Sequence, residues 1–368
     1  MIGFFIDDNA EDRTRIARLL EQKELPIDGR FEPVDPIKLR DAVLAEKPDL
    51  VALDFRLDDE DLPENNYKGG ALAQILREAL LETPTLDFPI ILVSTEENIK
   101  QIYSIDKTSH DLFDQKYMKG RLSDRAYRKT CHQEILSLAL GYKRIAAALE
   151  EGVGAASLLA LDEDELQIVP LHGFATDLKN ANSVTHVAAR MLLRQLIERA
   201  GPLLSCKDVA ARLGIATEQN QIEQTMEFLF ASGFGYEGVF GDGWPRVWRH
   251  RLEAWANDLL GEPLTSLTGD ERAKRLSEAI GFELRPAVSK WTNSSDELFA
   301  FACTTCREPT ERRNSLSLYD KYLLPYSDKK RVCFDCYIRG EMDRFPQLAI
   351  DEGDIEVAED IREGRIKR

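Results

Sequence analysis

Asp49-Leu-Val-Ala-Leu-Asp54-Phe-Arg-Leu57 is the stretch of sequence that decides the fold. Four apolar residues lead to a carboxylate, Asp54, and acidic residues follow within a few positions. A continuous apolar run of this length is typical of a strand that is buried on both faces. Because open α/β sheets carry their chemistry at the carboxyl ends of such strands, we expect Asp54 to lie at the functional edge of a parallel sheet.

Three further apolar runs each deliver polar groups to their carboxyl ends. They are Gly3-Phe-Phe-Ile-Asp-Asp8, Pro89-Ile-Ile-Leu-Val-Ser94 and Leu112-Phe-Asp-Gln-Lys116. Helical spacing of apolar residues separates the runs, at residues 10–21, 36–46 and 71–81, with a further helix expected near 97–105 and a second strand near 30–34. Strands that alternate with helices predict a doubly wound, five-stranded parallel α/β sheet of flavodoxin-like type.

Three carboxylates would meet at one edge of this sheet, namely Asp7, Asp8 and Asp54. They would repel one another unless a hard divalent cation joined them, and several oxygen ligands suit Mg²⁺. With such a cation bound, Asp54 could act as the nucleophile toward a phosphoryl group. The sequence therefore predicts a magnesium site with phosphoryl-transfer chemistry.

Taken together, the four runs resemble the receiver domain of bacterial response regulators over about the first 120 residues. The resemblance implies that Asp8 and Asp54 ligate Mg²⁺ directly, that the carbonyl of Arg56 contributes, and that Asp7 acts through water. It further implies that Lys116 and Ser94 contact the phosphoryl oxygens, so that Asp54, Lys116 and Ser94 form the catalytic set. The switch would be formed by Ser94 and by Phe113, the aromatic residue three positions before Lys116. One departure stands out, because Tyr117 follows Lys116 where the family usually has proline.

Composition and charge restrict the class of protein. The 368 residues carry a formal charge of −17, which opposes non-specific attraction to nucleic acid or to an anionic membrane. No apolar run is long enough to span a bilayer, and the amino terminus enters a strand directly. We therefore expect a cytoplasmic protein without a membrane partner.

The middle of the chain is mainly helical. Residues 123–151 predict one long helix with heptad-like apolar spacing, which indicates packing against the next domain or, alternatively, a homodimer. Farther on, a capping box at Ser205, a turn at Gly214 and a glycine-rich hairpin near 235–243 resemble a winged helix-turn-helix module. The second helix of the pair contains glutamates and no Lys or Arg, which disfavours DNA binding.

Two Cys-x-x-Cys pairs lie near the carboxyl terminus, Cys303/Cys306 and Cys333/Cys336. Their spacing predicts a structural Zn²⁺ site with four thiolate ligands, resembling zinc-ribbon or treble-clef modules. A closed site of this kind supplies folding energy and leaves no position for a substrate. This part of the chain is also its most basic, through Arg307, Arg312, Arg313, Lys329, Lys330 and Arg331.

These observations divide the chain into a receiver domain (1–120), a connecting helix (121–151), a helical winged-helix-like domain (152–265), a zinc-binding α+β module (266–345) and a charged tail (346–368). The first functional hypothesis is a two-component response regulator. It would accept a phosphoryl group on Asp54 from a partner histidine kinase, with self-phosphorylation and dephosphorylation as its only catalysis, and signal through a downstream protein. The alternatives are a phosphate-sink receiver, for which an antiphage defence system is one setting, a DNA-binding transcription regulator, and a pseudo-receiver scaffold.

Overall fold

The structure is a computed structural model that describes residues 1–57, 67–99, 112–180, 184–291, 298–321, 323–345 and 348–366. It forms two compact units. Unit 1 comprises Met1–Leu166, His172–Leu193 and Glu237–Trp244, and unit 2 comprises Gln167–Leu171, Arg194–Tyr236 and Pro245–Arg368. The acidic loop that follows Asp54 (58–66) and most of the helix expected near 97–105 lie outside the described residues.

Unit 1 is built on a five-stranded sheet in which every pair of neighbouring strands is parallel. The strands are β1 (Gly3–Ile6), β2 (Ile27–Asp28), β3 (Leu50–Leu53), β4 (Ile90–Ser94) and β5 (Gln115–Met118). Their order, β2-β1-β3-β4-β5, is the flavodoxin-like order, which confirms the predicted fold class. The second strand lies a few residues earlier than the predicted 30–34.

Helices alternate with these strands and continue the unit beyond the sheet. They are α1 (Ala10–Leu20), α2 (Pro36–Ala45), α3 (Gly69–Leu81), α4 (Arg125–Glu151), α5 (Ala155–Leu159), α6 (Glu163–Ile168), α7 (His172–Lys179) and α8 (Thr185–Arg190), followed by a π-helical turn (Met191–Ile197). The boundary between the units crosses α6 and this turn. β1, β3 and β4 consist of buried residues throughout, as the apolar runs predicted.

The long helix α4 buries its heptad face within the chain. Ile135, Leu138, Tyr142 and Ile145 are all at most 1% exposed, and α4 packs against α1 and α8. A homodimer through this face would require those side chains to leave the core of unit 1. Of the two interpretations of the heptad spacing, intramolecular packing is therefore the one that the structure favours.

A buried polar network joins α3, the sheet, α4 and α8. Arg77 donates to Asp87 Oδ1 at 3.0 Å and to Asp114 Oδ2 at 2.7 Å, and the Tyr142 hydroxyl donates to Asp114 Oδ1 at 2.7 Å. His186 completes it, with its Nδ1 2.7 Å from Asp87 Oδ2. Burial alone would lower the pKa of Arg77, but nearby negative charge and the Tyr142 hydroxyl outweigh it and keep the guanidinium charged.

We expect Arg77→Met to lower the free energy of unfolding of unit 1 by about 3–5 kcal/mol, because it leaves two buried carboxylates without their cation. The matched control is Arg40→Met, which removes an exposed ion pair with Asp41 and should cost less than about 1 kcal/mol. Urea titration followed by circular dichroism measures both. Equal losses in the two variants would contradict a stabilising role for the network.

Unit 2 contains short antiparallel strand pairs among helices. Its elements are β6 (Leu203–Leu204), α9 (Cys206–Leu213), α10 (Gln219–Ala231), β7 (Val247–Trp248), α11 (Arg249–Leu260), α12 (Gly269–Ile280), β8 (Phe299–Ala302), β9 (Pro309–Glu311), β10 (Ser315–Ser317), β11 (Arg331–Cys333), α13 (Phe334–Ile338) and α14 (Ile355–Arg362). α9 ends at Gly214, whose φ of +67° favours glycine, α10 begins at Gln219, and β6 pairs with β7. The predicted two-helix arrangement is present, while its assignment to the winged-helix class stays a prediction.

The compact units do not follow the expected domain boundaries. The predicted connecting helix and the start of the predicted middle domain belong to unit 1, because α4 packs on α1 and α8. The predicted tail contains α14, whose Ala358 and Ile361 are buried in the same core as Tyr337. In the part of the chain that the structure describes, no helix is both long and apolar enough to cross a bilayer.

Candidate functional site

An acidic cluster lies at the carboxyl ends of β1 and β3. Asp7 and Asp8 follow β1 directly, and Asp54 follows β3, whose last residue Leu53 pairs with Ile6. One carboxylate oxygen from each of the three residues lies within 4.8 Å of the others. Asp7 and Asp54 are buried, whereas Asp8 is exposed. The structure therefore brings together the three carboxylates that the sequence predicted.

The first helix holds the acidic pair in place. Arg13, buried in α1, donates from Nη1 to the carbonyl oxygen of Asp7 at 2.9 Å and to that of Asp8 at 3.3 Å. The backbone N–H of Asn9 donates to Asp7 Oδ1 at 2.9 Å, and the Asn9 side chain caps α1. Arg13 could not be predicted as a residue of this site, because nothing in the local sequence pattern separates it from the other arginines of α1.

Gly69 allows α3 to start against the Asp54 backbone. A Cβ atom at this position would lie 2.1 Å from the Asp54 carbonyl oxygen, far inside van der Waals contact. The Gly69 N–H also donates to the Phe55 carbonyl at 2.9 Å. A glycine is therefore required where the chain returns to the edge of the sheet beside Asp54.

Lys119 is the lysine that reaches the acidic cluster, which corrects the assignment of Lys116. Its Nζ lies 2.5 Å from Asp7 Oδ2, 3.2 Å from Asp54 Oδ2 and 3.4 Å from Asp12 Oδ2. Lys116 lies inside β5, opposite Leu92, and the strand continues to Met118. Because Met118 pairs with Ser94, the residue that follows the strand at the level of the site is Lys119.

The other predicted residues occupy distinct places around the cluster. Ser94 is buried at the end of β4, where it lowers the pKa of Asp54, and its hydroxyl accepts from Asn98 Nδ2 at 3.3 Å. Arg56 is exposed and forms a backbone bridge with Lys68. Phe113 is 1% exposed in the core of the sheet and precedes Lys119 by six residues. The three-residue spacing from which its switch role was inferred is therefore not met with Lys119.

Burial and the lysine act in opposite directions on the acids. Desolvation raises the pKa of Asp54, the Lys119 charge opposes that rise, and the Asp7 charge adds to it. Desolvation also raises the pKa of Asp7 against the opposing contact with Lys119. For Lys119, burial alone would lower the pKa, but the charges of Asp54 and Asp7 outweigh it and raise the value. The cluster therefore carries more negative charge than one lysine offsets.

The donor set fits a magnesium ion. All three groups are carboxylates, the ligands that this hard cation prefers, and Asp54 Oδ1 is buried without a hydrogen-bond partner in the structure. A buried acceptor oxygen without a partner costs free energy that a ligand could recover. Asp7, Asp8 and Asp54 are therefore the residues that would hold the ion, and the carbonyl of Arg56 stays a predicted further ligand.

Because the carboxylates of the cluster outnumber its lysine, we expect the free energy of unfolding of the metal-free protein to depend on pH. Because the pKa of Asp54 is raised in the folded protein, its contribution to stability is complete below the ordinary value of 3.8 and is lost as pH rises through the raised value. We expect metal-free Asp54→Asn to be more stable than the wild type at pH 7.5, and the difference to shrink toward pH 4. Urea titrations at both pH values in EDTA measure this, and Mg²⁺ should stabilise only the wild type. A variant that is less stable than the wild type at pH 7.5 would contradict the prediction.

The four predicted cysteines form a second cluster in unit 2. Their sulfur atoms all lie within 4.8 Å of one another, and Cys306 Sγ is 4.0 Å from Cys333 Sγ. A tetrahedral zinc ion with Zn–S bonds of about 2.3 Å places its ligands about 3.8 Å apart, so the donors fit this metal. The Cys333 N–H also points to Cys303 Sγ at 3.3 Å, which stabilises a thiolate there. Cys303, Cys306, Cys333 and Cys336 are the residues that would hold the ion.

Comparisons with known proteins show no family for this chain. No family model matches the sequence, and no curated protein matches it. A solved structure that resembles part of the chain is the signal receiver domain of NarL from Mycobacterium tuberculosis, with 19% identity and a TM-score of 0.26 over 38% of this chain and 96% of that domain. The fold assignment rests on strand order and register. Unit 1 contains a five-stranded parallel sheet with the flavodoxin-like strand order.

Proposed function

We propose that the protein is a response regulator that accepts a phosphoryl group on Asp54. The observation that carries this proposal is the placement of one lysine ammonium against two of three clustered carboxylates at the carboxyl edge of a flavodoxin-like sheet. A partner histidine kinase would be the physiological donor. Mg²⁺, when bound, would offset the acids and the charge that the phosphoryl group brings to the site.

The transfer is a displacement at phosphorus. A carboxylate oxygen of Asp54 forms the new P–O bond, and the bond from phosphorus to the donor breaks. The donor, the imidazole of a phosphohistidine or the acetate of acetyl phosphate, leaves with the electron pair of that bond. Among the described residues, Asp54 Oδ1 has no hydrogen-bond partner, while Oδ2 faces Lys119. Lys119 and Ser94 would contact the transferred oxygens.

Labelling with acetyl phosphate tests the proposal directly. We expect the full-length protein to take up about one phosphoryl group in the presence of Mg²⁺ and none in EDTA. The product should be an acyl phosphate, which hydroxylamine removes and which is distinct from phosphoserine. A protein that takes up no label under donor excess would be the pseudo-receiver scaffold of the alternative hypothesis.

Substitution of Lys119 and of Lys116 should affect the labelling rate differently. Lys119→Ala should slow labelling by about 10- to 100-fold, because no ammonium then neutralises the phosphoryl oxygens. Lys116→Ala removes the same charge from the adjoining strand and should stay within about twofold of the wild type, since Lys119 remains in place. Initial rates of labelling at saturating Mg²⁺ measure both. The reverse order of the two variants would restore Lys116 as the functional lysine.

We further propose that output runs through protein contacts. The helix that would enter a DNA groove, α10, contains Glu223 and Glu227 and no Lys or Arg. Facing phosphates, it would add repulsion where a DNA-binding helix needs neutralisation. The phosphate-sink alternative uses the same chemistry at Asp54 and differs in having no downstream partner. Crosslinking of the phosphorylated and unphosphorylated protein in the presence of candidate partners separates the two.

A further inference from the structure

A basic pocket lies within unit 2, outside both clusters described above. Its volume is about 230 Å³, and it is bounded by α9, β8 and the start of β11. Seven Lys or Arg side chains line it against three acidic ones, a net charge of +4 in a chain whose formal charge is −17. Concentration of positive charge in one cavity of an acidic protein indicates a site for an anion.

Four of the seven cations already have carboxylate neighbours. Arg212 Nη2 contacts Asp328 at 2.7 Å, Arg199 contacts Asp320 at 2.7 Å and Lys329 contacts Asp351 at 2.7 Å. Arg331 lies 3.9 Å from Asp354. The Arg212 and Arg331 guanidinium groups each lie over the Phe301 ring, 5.6 and 5.5 Å from its centroid. These contacts fix the walls of the pocket.

The remaining three cations, Arg246, Arg307 and Lys330, have no carboxylate within ion-pair distance among the described residues. Arg246 donates only to neutral carbonyl oxygens, those of Ile197 at 2.8 Å and Pro245 at 2.9 Å. Desolvation lowers the pKa of Arg246, the nearby Asp208 and Glu198 oppose that fall, and the charge of Arg307 adds to it. The protein therefore keeps like charges close together around one cavity, which is unfavourable unless an anion joins them.

The backbone at Arg307 supports a role for its side chain. Arg307 has a φ of +61°, a left-handed conformation that costs a non-glycine residue free energy. It directly follows Cys306, where the turn of the first cysteine pair ends, and its N–H donates to the Cys303 carbonyl at 2.9 Å. Glycine would adopt this conformation without strain. An arginine here places a guanidinium at the pocket at the expense of local stability.

We propose that this pocket binds the pyrophosphate group of a small phosphorylated ligand. Guanidinium groups match phosphate oxygens in geometry, and two linked phosphates carry about −3 charges at neutral pH, which the three positive charges of Arg246, Arg307 and Lys330 can offset. The volume is below the range of about 300–1,000 Å³ that holds whole drug-sized ligands, so it suits a compact polyanion. A nucleoside diphosphate and inorganic pyrophosphate both carry this group, so the experiment has to distinguish between these two ligands.

Calorimetric titration of the full-length protein with inorganic pyrophosphate tests the proposal. We expect binding that weakens as salt is raised, and at least about tenfold weaker binding of monophosphate. Arg307→Gly should weaken pyrophosphate binding by about tenfold or more while keeping the thermal stability, because glycine suits the left-handed backbone. The control Lys274→Gln removes an exposed positive charge of α12 outside the pocket and should leave the affinity unchanged.

A nucleoside diphosphate and a single-stranded oligonucleotide complete the experiment. Tighter binding of the nucleotide than of pyrophosphate, with the same loss in Arg307→Gly, supports the proposal and assigns a nucleotide as the source. Tighter binding of pyrophosphate supports it with the inorganic ion as the source. Absence of pyrophosphate binding, or unchanged affinity in Arg307→Gly, overturns it. Oligonucleotide binding that pyrophosphate does not compete would also overturn it, in favour of a nucleic-acid surface.

Discussion

Asp54→Asn should take up phosphoryl groups from acetyl phosphate at about one hundredth of the wild-type level or less. The substitution replaces the attacking carboxylate oxygen with a neutral amide of nearly the same shape. It leaves the backbone hydrogen bond from Asp54 to Ile6 intact, along with the return of the chain at Gly69. The loss would therefore report the nucleophile itself and not the collapse of the edge of the sheet.

The matched control is Asp41→Asn, an exposed carboxylate of α2 that pairs with Arg40. It removes the same charge and should label as the wild type does. Electrophoresis in the presence of a phosphate-binding additive, together with mass spectrometry of the intact protein, measures the phosphorylated fraction. Undiminished labelling of Asp54→Asn would defeat the assignment of the phosphorylated residue.

Removal of metal from the cysteine cluster is the second change with a large expected effect. We expect Cys336→Ser to abolish binding of one zinc equivalent, and chelation of the wild type to remove a cooperative unfolding transition. A structural zinc site contributes on the order of 10 kcal/mol, because the ligands are assembled only in the folded state. The four sulfur atoms lie close together, although the two cysteine pairs lie on opposite sides of β9 and β10 in the sequence.

The control for this experiment is Cys206→Ser, a lone half-buried cysteine at the start of α9 and outside the cluster. Elemental analysis should find one zinc per chain in the wild type and in this control, and the thermal melts of both should agree. A wild-type protein that is purified free of metal and whose melt is insensitive to chelators would contradict the assignment of a zinc site.

The sheet was predictable because its signal is local. β1, β3 and β4 are short, buried apolar runs that end in polar residues, and each lies where its run predicted it. The acidic cluster follows from the same signal, since the ends of adjacent parallel strands meet at one edge. The four cysteines were predictable for a similar reason, because their spacing alone identifies a metal site.

The lysine was not predictable in the same way. The apolar residues Leu112 and Phe113 suggested that the last strand ends at Lys116, but β5 begins only at Gln115. Tyr117 is the only buried residue of β5, so this strand lacks the apolar run that β1, β3 and β4 have. The signal that could have found the correct residue is the pair Lys119-Gly120, which directly follows the strand and begins a 3₁₀ turn.

The division into units depended on contacts that are distant in sequence. Nothing in residues 237–244 indicates that they pack with the amino-terminal unit, and the Asp87–His186 contact joins positions 99 residues apart. Sequence patterns report which face of a helix is apolar, but not which other element covers it. The sequence therefore predicted α4 as a helix but did not predict which elements of unit 1 it packs against.

The buried polar network around Arg77 limits which truncated forms of the protein can be used to study its function. A fragment that ends near residue 120 would lose Tyr142 and His186, so that Asp114 Oδ1 and Asp87 Oδ2 would lose these contacts while Arg77 still contacts the other oxygen of each carboxylate. Such a fragment would be expected to misfold for reasons unrelated to signalling, and removal of everything after residue 150 would still delete His186. Roles of the two units in the cell are therefore better separated by single substitutions at Asp54 and at the cysteines than by truncation or by domain exchange.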